Sequence, residues 1–239
     1  RRPVQVGIAE CAFGYIVPLT SSPEDVAAAR RAFRDYNTEA FTLLFEGAYP
    51  EEFVQKIGAA NMPDYTEEEM KIITGKMDFL GLNIYTAQYV MADPSCENGY
   101  RLLEWPDSFA VLDMPGNYIV PEAVYYAPRF CQELWDVPPM YISENGFTCI
   151  DNRSLDNPRI DDVGRISALR QYLMQVQRAV ADGIPLKGFF YWSLLDNFEW
   201  RFATSKRLGL IHVDYNTMAR TPKLSAAYYR DVIRSHAVL

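Results

Sequence analysis

Four short apolar runs, separated by helical sequence, constrain the fold of this 239-residue chain more than any other feature. Continuous apolar runs of about four to eight residues are typical of parallel strands, which are covered on both faces. The runs occupy residues 4–8, 79–84, 140–143 and 188–192. Between and after them, the sequence predicts helices over residues 21–33, 121–135, 163–181 and 225–236, with a short strand at 208–213. Strand and helix therefore alternate, as they do in parallel βα units.

The helix predicted over residues 163–181 has the clearest amphipathic pattern. It is expected to stop at Gly183, which suits the left-handed conformation that often ends a helix. Its apolar positions recur at helical spacing and predict one buried face, made of Ile166, Leu169, Leu173, Val176 and Val180.

Four βα units make up half of a (β/α)₈ TIM barrel, so the chain is predicted to be an α/β protein of that class. A doubly wound open sheet is the alternative, but no Gly-x-Gly-x-x-Gly sequence follows any predicted strand. A half-barrel would have two unpaired strand edges and an interior without its opposing layer. We therefore expect this chain alone to be poorly stable or to associate.

The charge balance and the cysteines limit the classes of partner. The net charge of −8 argues against nucleic acid or an anionic membrane, because both require a basic face. No run approaches the roughly 18 apolar residues that span a bilayer. The four widely spaced cysteines match no metal motif and are predicted to be reduced thiols of a cytoplasmic protein. His212 and His236 are isolated in sequence, so no metal, cofactor or histidine base is predicted.

The strongest candidate for a catalytic residue is Glu144, which follows an apolar strand in the sequence YISENG of residues 141–146. In a parallel barrel, side chains at the carboxyl ends of the strands point into the active site. From its position alone, Glu144 is a catalytic group, a ligand or a buried ion-pair partner.

Two further strand ends carry polar and aromatic residues. In FYWSLLDNFEW of residues 190–200, the indoles of Trp192 and Trp200 would stack on sugar C–H faces, while Glu199 would accept hydrogen bonds from paired hydroxyls. The alternative is an aromatic core segment with a surface glutamate. In FLGLNIY of residues 79–85, Asn83 and Tyr85 could orient a neighbouring carboxylate, or the strand could simply end in a capped turn.

Together with other segments in the same order, these motifs closely resemble the C-terminal half of the family 1 glycoside hydrolases, the β-glucosidase family. The resemblance covers essentially the whole chain. The additional segments are SPED at 22–25, GAYP at 47–50, DFLGLNIY at 78–85, SKRLGL at 205–210, VDY at 213–215 and PKLS at 222–225.

The resemblance implies that residues 1–239 are the C-terminal half of a single (β/α)₈ domain, supplying strands 5–8. It also implies a retaining, two-step hydrolysis of terminal non-reducing β-D-glucosyl residues, in which Glu144 attacks the anomeric carbon. Tyr85 would donate a hydrogen bond to this nucleophile, and Asn83 would lie beside the catalytic pair.

The same resemblance assigns the sugar pocket. Trp192 would form its floor, Glu199 would accept two hydroxyls of the non-reducing sugar, and Trp200 would contact the same ring. The negative charge of Glu199 would repel a phosphate, so unphosphorylated sugars are favoured. Leu208 departs from the family pattern, because an aromatic residue is usual there, and the exact sugar preference is left open.

The family's Asn-Glu-Pro motif, which carries the acid/base glutamate, occurs nowhere in the sequence. The resemblance therefore implies a complementary N-terminal half-barrel segment that supplies this group. Two alternatives remain open: a catalytically inactive, carbohydrate-binding half-barrel, and a remnant that self-associates through its open edges.

Overall fold

The computed structural model describes residues 3–11, 14–154 and 157–238. The helices are α1 (Pro23–Tyr36), α2 (Leu43–Glu46), α3 (Glu51–Ile57), α4 (Glu67–Ile73), α5 (Ala123–Leu134), α6 (Val163–Ala181) and α7 (Leu224–Ser235), with a π-helical turn at Thr38–Thr42 and a 3₁₀ turn at Ala59–Asn61. The strands are β1 (Gly7–Glu10), β2 (Ile16–Pro18), β3 (Phe79–Asn83), β4 (Gln88–Ala92), β5 (Tyr100–Leu102), β6 (Met140–Asn145), β7 (Asn152–Ser154), β8 (Asn157–Asp161), β9 (Leu186–Tyr191), β10 (Ile211–Val213) and β11 (Arg220–Pro222).

A parallel four-stranded sheet with the order β1-β3-β6-β9 forms the centre of the molecule. Each strand lies beside the next parallel strand along the chain, so the order never reverses. A doubly wound sheet reverses its strand order at a switch point, whereas a barrel does not. The predicted partial (β/α)₈ barrel is therefore confirmed.

The first strand begins later than predicted. Residues 4–6 lie outside the sheet, and the side chains of Val4 and Val6 are exposed. The backbone N–H of Val6 donates to the Asp78 side chain at 2.8 Å, and the ladder with β3 starts only at Gly7, opposite Phe79. The neighbouring strand thus sets where β1 can begin, which an apolar run in the sequence does not reveal.

The two faces of the central sheet differ in burial. Leu80 and Leu82 of β3, like Met140 and Ile142 of β6, are fully buried. Side chains alternate between the faces of a strand, so the opposite face carries the intervening residues. On that face Phe190 of β9 is 58% exposed. It is the face that looks into the interior of a complete barrel, and here it has no opposing layer among the described residues.

Helix α6 has the predicted bounds, but its buried face is partly different. Leu169 and Leu173 are buried as predicted, whereas Val180 is exposed. Arg165 and Tyr172 are buried instead. The first turn of this helix lies against the carboxyl ends of the strands, where polar side chains find backbone partners. Apolar spacing alone therefore predicted the middle of the buried face correctly but missed Arg165 and Tyr172 and wrongly included Val180.

Around the sheet, α1 begins at the N-cap Ser22, whose hydroxyl accepts from the Asp25 N–H, and packs against β2 and β4. A second sheet has the order β2-β4-β5, and β7–β8 and β10–β11 are two-stranded. No described helix combines the length and the apolar character needed to cross a membrane.

Candidate active site

The carboxylate of Glu144 and the phenol of Tyr85 meet at the carboxyl ends of β6 and β3. The hydroxyl of Tyr85 donates to Oε2 of Glu144 at 2.5 Å. Burial raises the pKa of Tyr85 well above its usual range, and the hydrogen bond to Glu144 raises it further. The phenol therefore stays protonated and keeps its donor aimed at the carboxylate.

The backbone aligns these two strand ends. Asn83 is opposite Glu144 in the ladder, after a register shift between Leu82 and Asn83. The Ile84 N–H donates to the Glu144 carbonyl at 2.9 Å, and the Asn145 side-chain amide donates to the Ile84 carbonyl at 2.8 Å. These bonds continue the pairing one residue past β3, where the side chains of the candidate residues project.

Asn83 lies opposite Glu144 in the strand ladder, but the hydrogen bond of its side chain is made with another residue. The hydroxyl of Ser143 donates to Oδ1 of Asn83 at 2.7 Å. This bond leaves the side-chain amide nitrogen of Asn83 as the donor that could face a substrate. Ser143 thereby orients a predicted site residue, although the sequence analysis did not single it out.

Trp192 is attached to the same point through the backbone. Its N–H donates to the carbonyl of Asn145 at 2.8 Å. A Cβ at Gly146 would lie only 1.7 Å from the Trp192 carbonyl oxygen, so only glycine permits this approach of the β6 and β9 ends. The Asn-Gly pair after Glu144 thus fixes the position of Trp192.

Glu199 lies within electrostatic range of Glu144, whereas Trp200 projects away from the described residues. Burial raises the pKa of Glu199, and the negative charge of Glu144 raises it further. The charge of Glu199 also contributes to the raised pKa of Tyr85. Trp200, the next residue in the loop, is 86% exposed. The structure therefore groups Glu199 with the catalytic candidates and leaves the Trp200 ring largely unpacked against the part of the chain that is described.

A cavity of about 400 Å³ opens beside Tyr85 and Asn83. Its lining is mainly apolar and aromatic and includes Trp105 and Tyr118. Cys11 also lines it, and the pKa of this thiol is raised by burial and by the nearby charges of Glu144 and Glu10. The cavity is large enough for a small organic group, and its lining includes Tyr85, the donor to Glu144, but not Glu144 itself.

The sequence analysis missed Arg165, a buried cation behind the site. Its guanidinium pairs with Asp162 at 2.7 Å and donates to the Tyr191 hydroxyl at 2.8 Å. It also donates to three backbone carbonyls, those of Phe147, Arg207 and Leu208. These partners follow Glu144 and Trp192 in the chain, so one side chain joins the two strand ends that carry the candidate residues. An arginine in an amphipathic helix ordinarily predicts a solvated position, and no sequence signal marked this one.

A second buried network surrounds Asp196 and corrects the description of His212 as isolated. Nδ1 of His212 lies 2.8 Å from Oδ2 of Asp151 and 3.4 Å from Oδ2 of Asp196. These three residues could each offer one metal ligand. However, the buried ammonium of Lys223 contacts both carboxylates, at 3.0 Å and 3.1 Å, and Arg207 contacts Asp196 at 3.3 Å. Two cations balance two carboxylates, so the cluster is explained as an ion network.

Fold and site together define a parallel α/β half-barrel with a carboxylate and an aligned phenol at neighbouring strand ends. The sequence profile of "Glycosyl hydrolase family 1" matches residues 2–238. The chain belongs to this family, and the resemblance noted from its motifs is confirmed.

Relatives and solved structures agree with this membership. The chain is 36% identical over 230 residues to 1,4-beta-D-glucan glucohydrolase of Thermotoga neapolitana, covering 94% of this chain and 50% of the relative. It is 35% identical to Beta-glucosidase A of Thermotoga maritima over 230 residues, which again cover 94% of this chain and 50% of the relative. A family 1 b-glucosidase structure from Thermotoga maritima superposes with a TM-score of 0.77 at 35% identity, covering 96% of this chain and 50% of the other. The chain thus spans about half the length of the relatives it matches.

Proposed function

We propose that this chain is the nucleophile-bearing half of a retaining β-glycosidase, with Glu144 as the attacking carboxylate. The observation that carries the proposal is the 2.5 Å hydrogen bond from Tyr85 to Glu144, at the carboxyl end of a parallel strand in a family 1 chain. Matched relatives are named beta-glucosidases, and one matched structure is in complex with deoxynojirimycin. These names favour β-D-glucosyl substrates.

In this mechanism Glu144 attacks the anomeric carbon and displaces the leaving-group oxygen, forming a covalent glycosyl-enzyme. Tyr85 holds the carboxylate so that one oxygen is directed at that carbon. Water then hydrolyses the intermediate with retention of configuration. A second carboxyl group must protonate the leaving group and activate the water, about 5–5.5 Å from the first. We assign this role to the glutamate of an Asn-Glu-Pro motif in a complementary half-barrel.

The surfaces that would receive the complementary half-barrel are the outer edges of β1 and β9, which have no strand partner among the described residues, and the uncovered face of the central sheet. Strand edges bind further strands readily, and burial of exposed apolar side chains such as Phe190 favours association. The second half-barrel would therefore complete both the sheet and the catalytic pair.

The sugar would lie between Trp192 and Glu199. Trp192 offers an indole surface at the end of β9, and Glu199 offers a carboxylate that accepts from paired hydroxyls. Its negative charge disfavours phosphorylated sugars. Trp200 would close over the same ring, and its exposure leaves it available for this contact.

The exposed Trp200 also supports a second candidate, a half-barrel that binds carbohydrate without turnover. An assay of this chain with and without the complementary half-barrel, on an activated aryl and an unactivated alkyl β-glucoside, distinguishes the two. We expect turnover with the complementary half-barrel, at its strongest on the aryl substrate, and its loss in Glu144→Gln. General acid–base catalysis typically contributes about 10²–10⁴-fold, so the alkyl substrate depends most on the second carboxyl group.

Activity that survives Glu144→Gln would refute the assignment of the nucleophile. Sugar binding without turnover, abolished by Trp192→Ala, would favour the binding function. Glu133→Gln, which removes the partly exposed ion pairs of Glu133 with Arg129 in α5 and with Arg30 in α1, is the matched charge control and should leave turnover unchanged.

A further inference from the structure

The loop of residues 193–213 carries Glu199 and is anchored at its base by one buried carboxylate. The side chain of Asp196 is completely buried, and its oxygens accept from the Gly209 N–H at 2.9 Å and the Val213 N–H at 3.3 Å. It also contacts the cations of Lys223 and Arg207. Asp196, near the start of the loop, therefore binds two backbone N–H groups near its end.

Backbone bonds follow the same pattern. The Asp196 N–H donates to the Ile211 carbonyl at 3.0 Å, and the Leu210 N–H donates to the Ser193 carbonyl at 2.9 Å. A Cβ at Gly209 would lie 2.1 Å from the Asp196 nitrogen, so glycine lets the two halves approach this closely. At the base of the loop, the two chain segments around Asp196 and Leu210 thus lie side by side and are joined by backbone hydrogen bonds.

The tip of the loop has no comparable apolar support. Phe198 and Trp200, on either side of Glu199, are 66% and 86% exposed. The Glu199 N–H closes a tight turn onto the Ala203 carbonyl at 2.7 Å. Because Phe198 and Trp200 are not packed into the described core, the position of the tip depends on the base from which it extends and on the ion pair between Lys206 and Asp113 at 3.0 Å.

We propose that Asp196 is the positioning residue of the sugar-binding loop, which fixes Glu199 relative to Glu144 through the buried ion network. The role in sugar binding rests on the proposed function. Asp196 itself does not contact the sugar. It acts by tying residues 193–197 to residues 207–213, while Lys223 neutralises its charge and links it to Asp151 in the segment after β6.

Asp196→Asn tests this role because it keeps the side-chain shape but removes the charge that the contacts with Lys223 and Arg207 require. Amide hydrogen exchange of the isolated chain is the first measurement. We expect exchange in residues 193–213 to rise by about tenfold or more, with residues 79–85 and 140–146 unchanged. Glu133→Gln is the control and should change neither segment.

Unchanged exchange in the loop would overturn the proposal, as would an increase spread evenly over the molecule, since that pattern would indicate a purely structural role. Arg207→Gln is the milder second variant, for use if Asp196→Asn fails to fold. It removes one partly exposed partner of Asp196, and it should raise exchange in the same loop by a smaller factor.

Kinetics with the complementary half-barrel separate positioning from catalysis. For an aryl β-glucoside, Asp196→Asn should raise KM by about tenfold and change kcat by less than about threefold, because ground-state sugar contacts are lost while Glu144 is intact. A fall in kcat at unchanged KM would overturn the proposal. If the unsubstituted pair shows no turnover, the proposed function fails, and the exchange measurement alone then decides the positioning role.

Discussion

Two segments at the same end of the molecule are stabilised by different kinds of interaction. The loop of residues 193–213 is tied down by buried charges, whereas the segment of residues 103–120 is packed by aromatic rings. In the segment of residues 103–120, Trp105 stacks on Tyr118 with an interplanar angle of 19° and ring centroids 4.4 Å apart. The ring centroids of Trp105 and Phe109 are also 4.4 Å apart. A partly buried ion pair between Lys206 and Asp113 joins the two segments.

The difference has consequences for tolerance to change. The burial of apolar ring surface is non-directional and roughly proportional to the area buried, so a similar ring restores most of its contribution. A buried ion network is directional, and removal of one member leaves an uncompensated charge. The loop of residues 193–213 should therefore respond sharply to single substitutions, and the aromatic segment gradually.

Lys223→Met should have the largest effect. It leaves the carboxylates of Asp196 and Asp151 buried without the ammonium that both contact. We expect a loss of about 3–5 kcal/mol in the free energy of unfolding, measured by urea denaturation. Lys223→Arg should not restore it, because a planar guanidinium does not fit a fully buried site shaped for an ammonium.

Lys206→Met is the matched control, since it removes a lysine from a more exposed pair. It should cost less than about 1 kcal/mol. Equal losses for the two lysine variants would contradict the distinction between the buried network and the ordinary ion pair.

Trp105→Ala should have an intermediate effect. The ring is half-buried among Tyr89, Phe109 and Tyr118, so its loss should cost about 2 kcal/mol, less than removal of a fully buried tryptophan. Trp105→Phe should recover more than half of this loss in the same denaturation experiment. If phenylalanine were no better than alanine, the segment would depend on a specific contact instead of ring packing.

The pH dependence of sugar binding should reveal the coupling between Glu199 and Glu144. The pKa of Glu199 is raised by burial and by the charge of Glu144, so its carboxylate is lost at a higher pH than an ordinary glutamate, whose pKa is about 4.3. Affinity for an uncharged S-linked β-glucoside, measured by calorimetry with the complementary half-barrel, should therefore fall as pH decreases through this raised value.

Glu144→Gln removes one of the two causes of the raised pKa of Glu199, the neighbouring negative charge. The midpoint of the fall in affinity should therefore move to lower pH. Glu199→Gln should weaken binding and abolish this pH dependence. A midpoint that stays in place in Glu144→Gln would mean that the two carboxylates are not electrostatically coupled.

Alkylation of Cys11 should show the smallest effect. The charges of Glu144 and Glu10 contribute to the raised pKa of this thiol, so Glu144→Gln should lower that pKa and increase the thiolate fraction at pH 8. We expect iodoacetamide to modify Cys11 about two- to threefold faster, measured by peptide mass spectrometry. Cys96, in the turn between β4 and β5, is the internal control.

The βα alternation and the strand-end position of Glu144 were predictable because apolar periodicity and chain order are local signals. Helix α6 was predicted with its observed bounds for the same reason. The buried ion networks could not be predicted, because their members are dispersed over the chain and have residue types that ordinarily lie on the surface. Arg165 was not singled out, because an arginine in an amphipathic helix ordinarily lies in solvent, and the contact of His212 with Asp151 spans 61 positions. Only the folded chain brings such groups together.

The central claim, that Glu144 is the nucleophile, is tested most directly by trapping the glycosyl-enzyme. This chain, combined with the complementary half-barrel, would be treated with a 2-deoxy-2-fluoro-β-glucoside that has an activated leaving group, and then analysed by peptide mass spectrometry. We predict one fluoroglucosyl group on Glu144 and no labelling in Glu144→Gln. A label on a different residue, or turnover of the parent aryl glucoside without any accumulated label, would contradict the account.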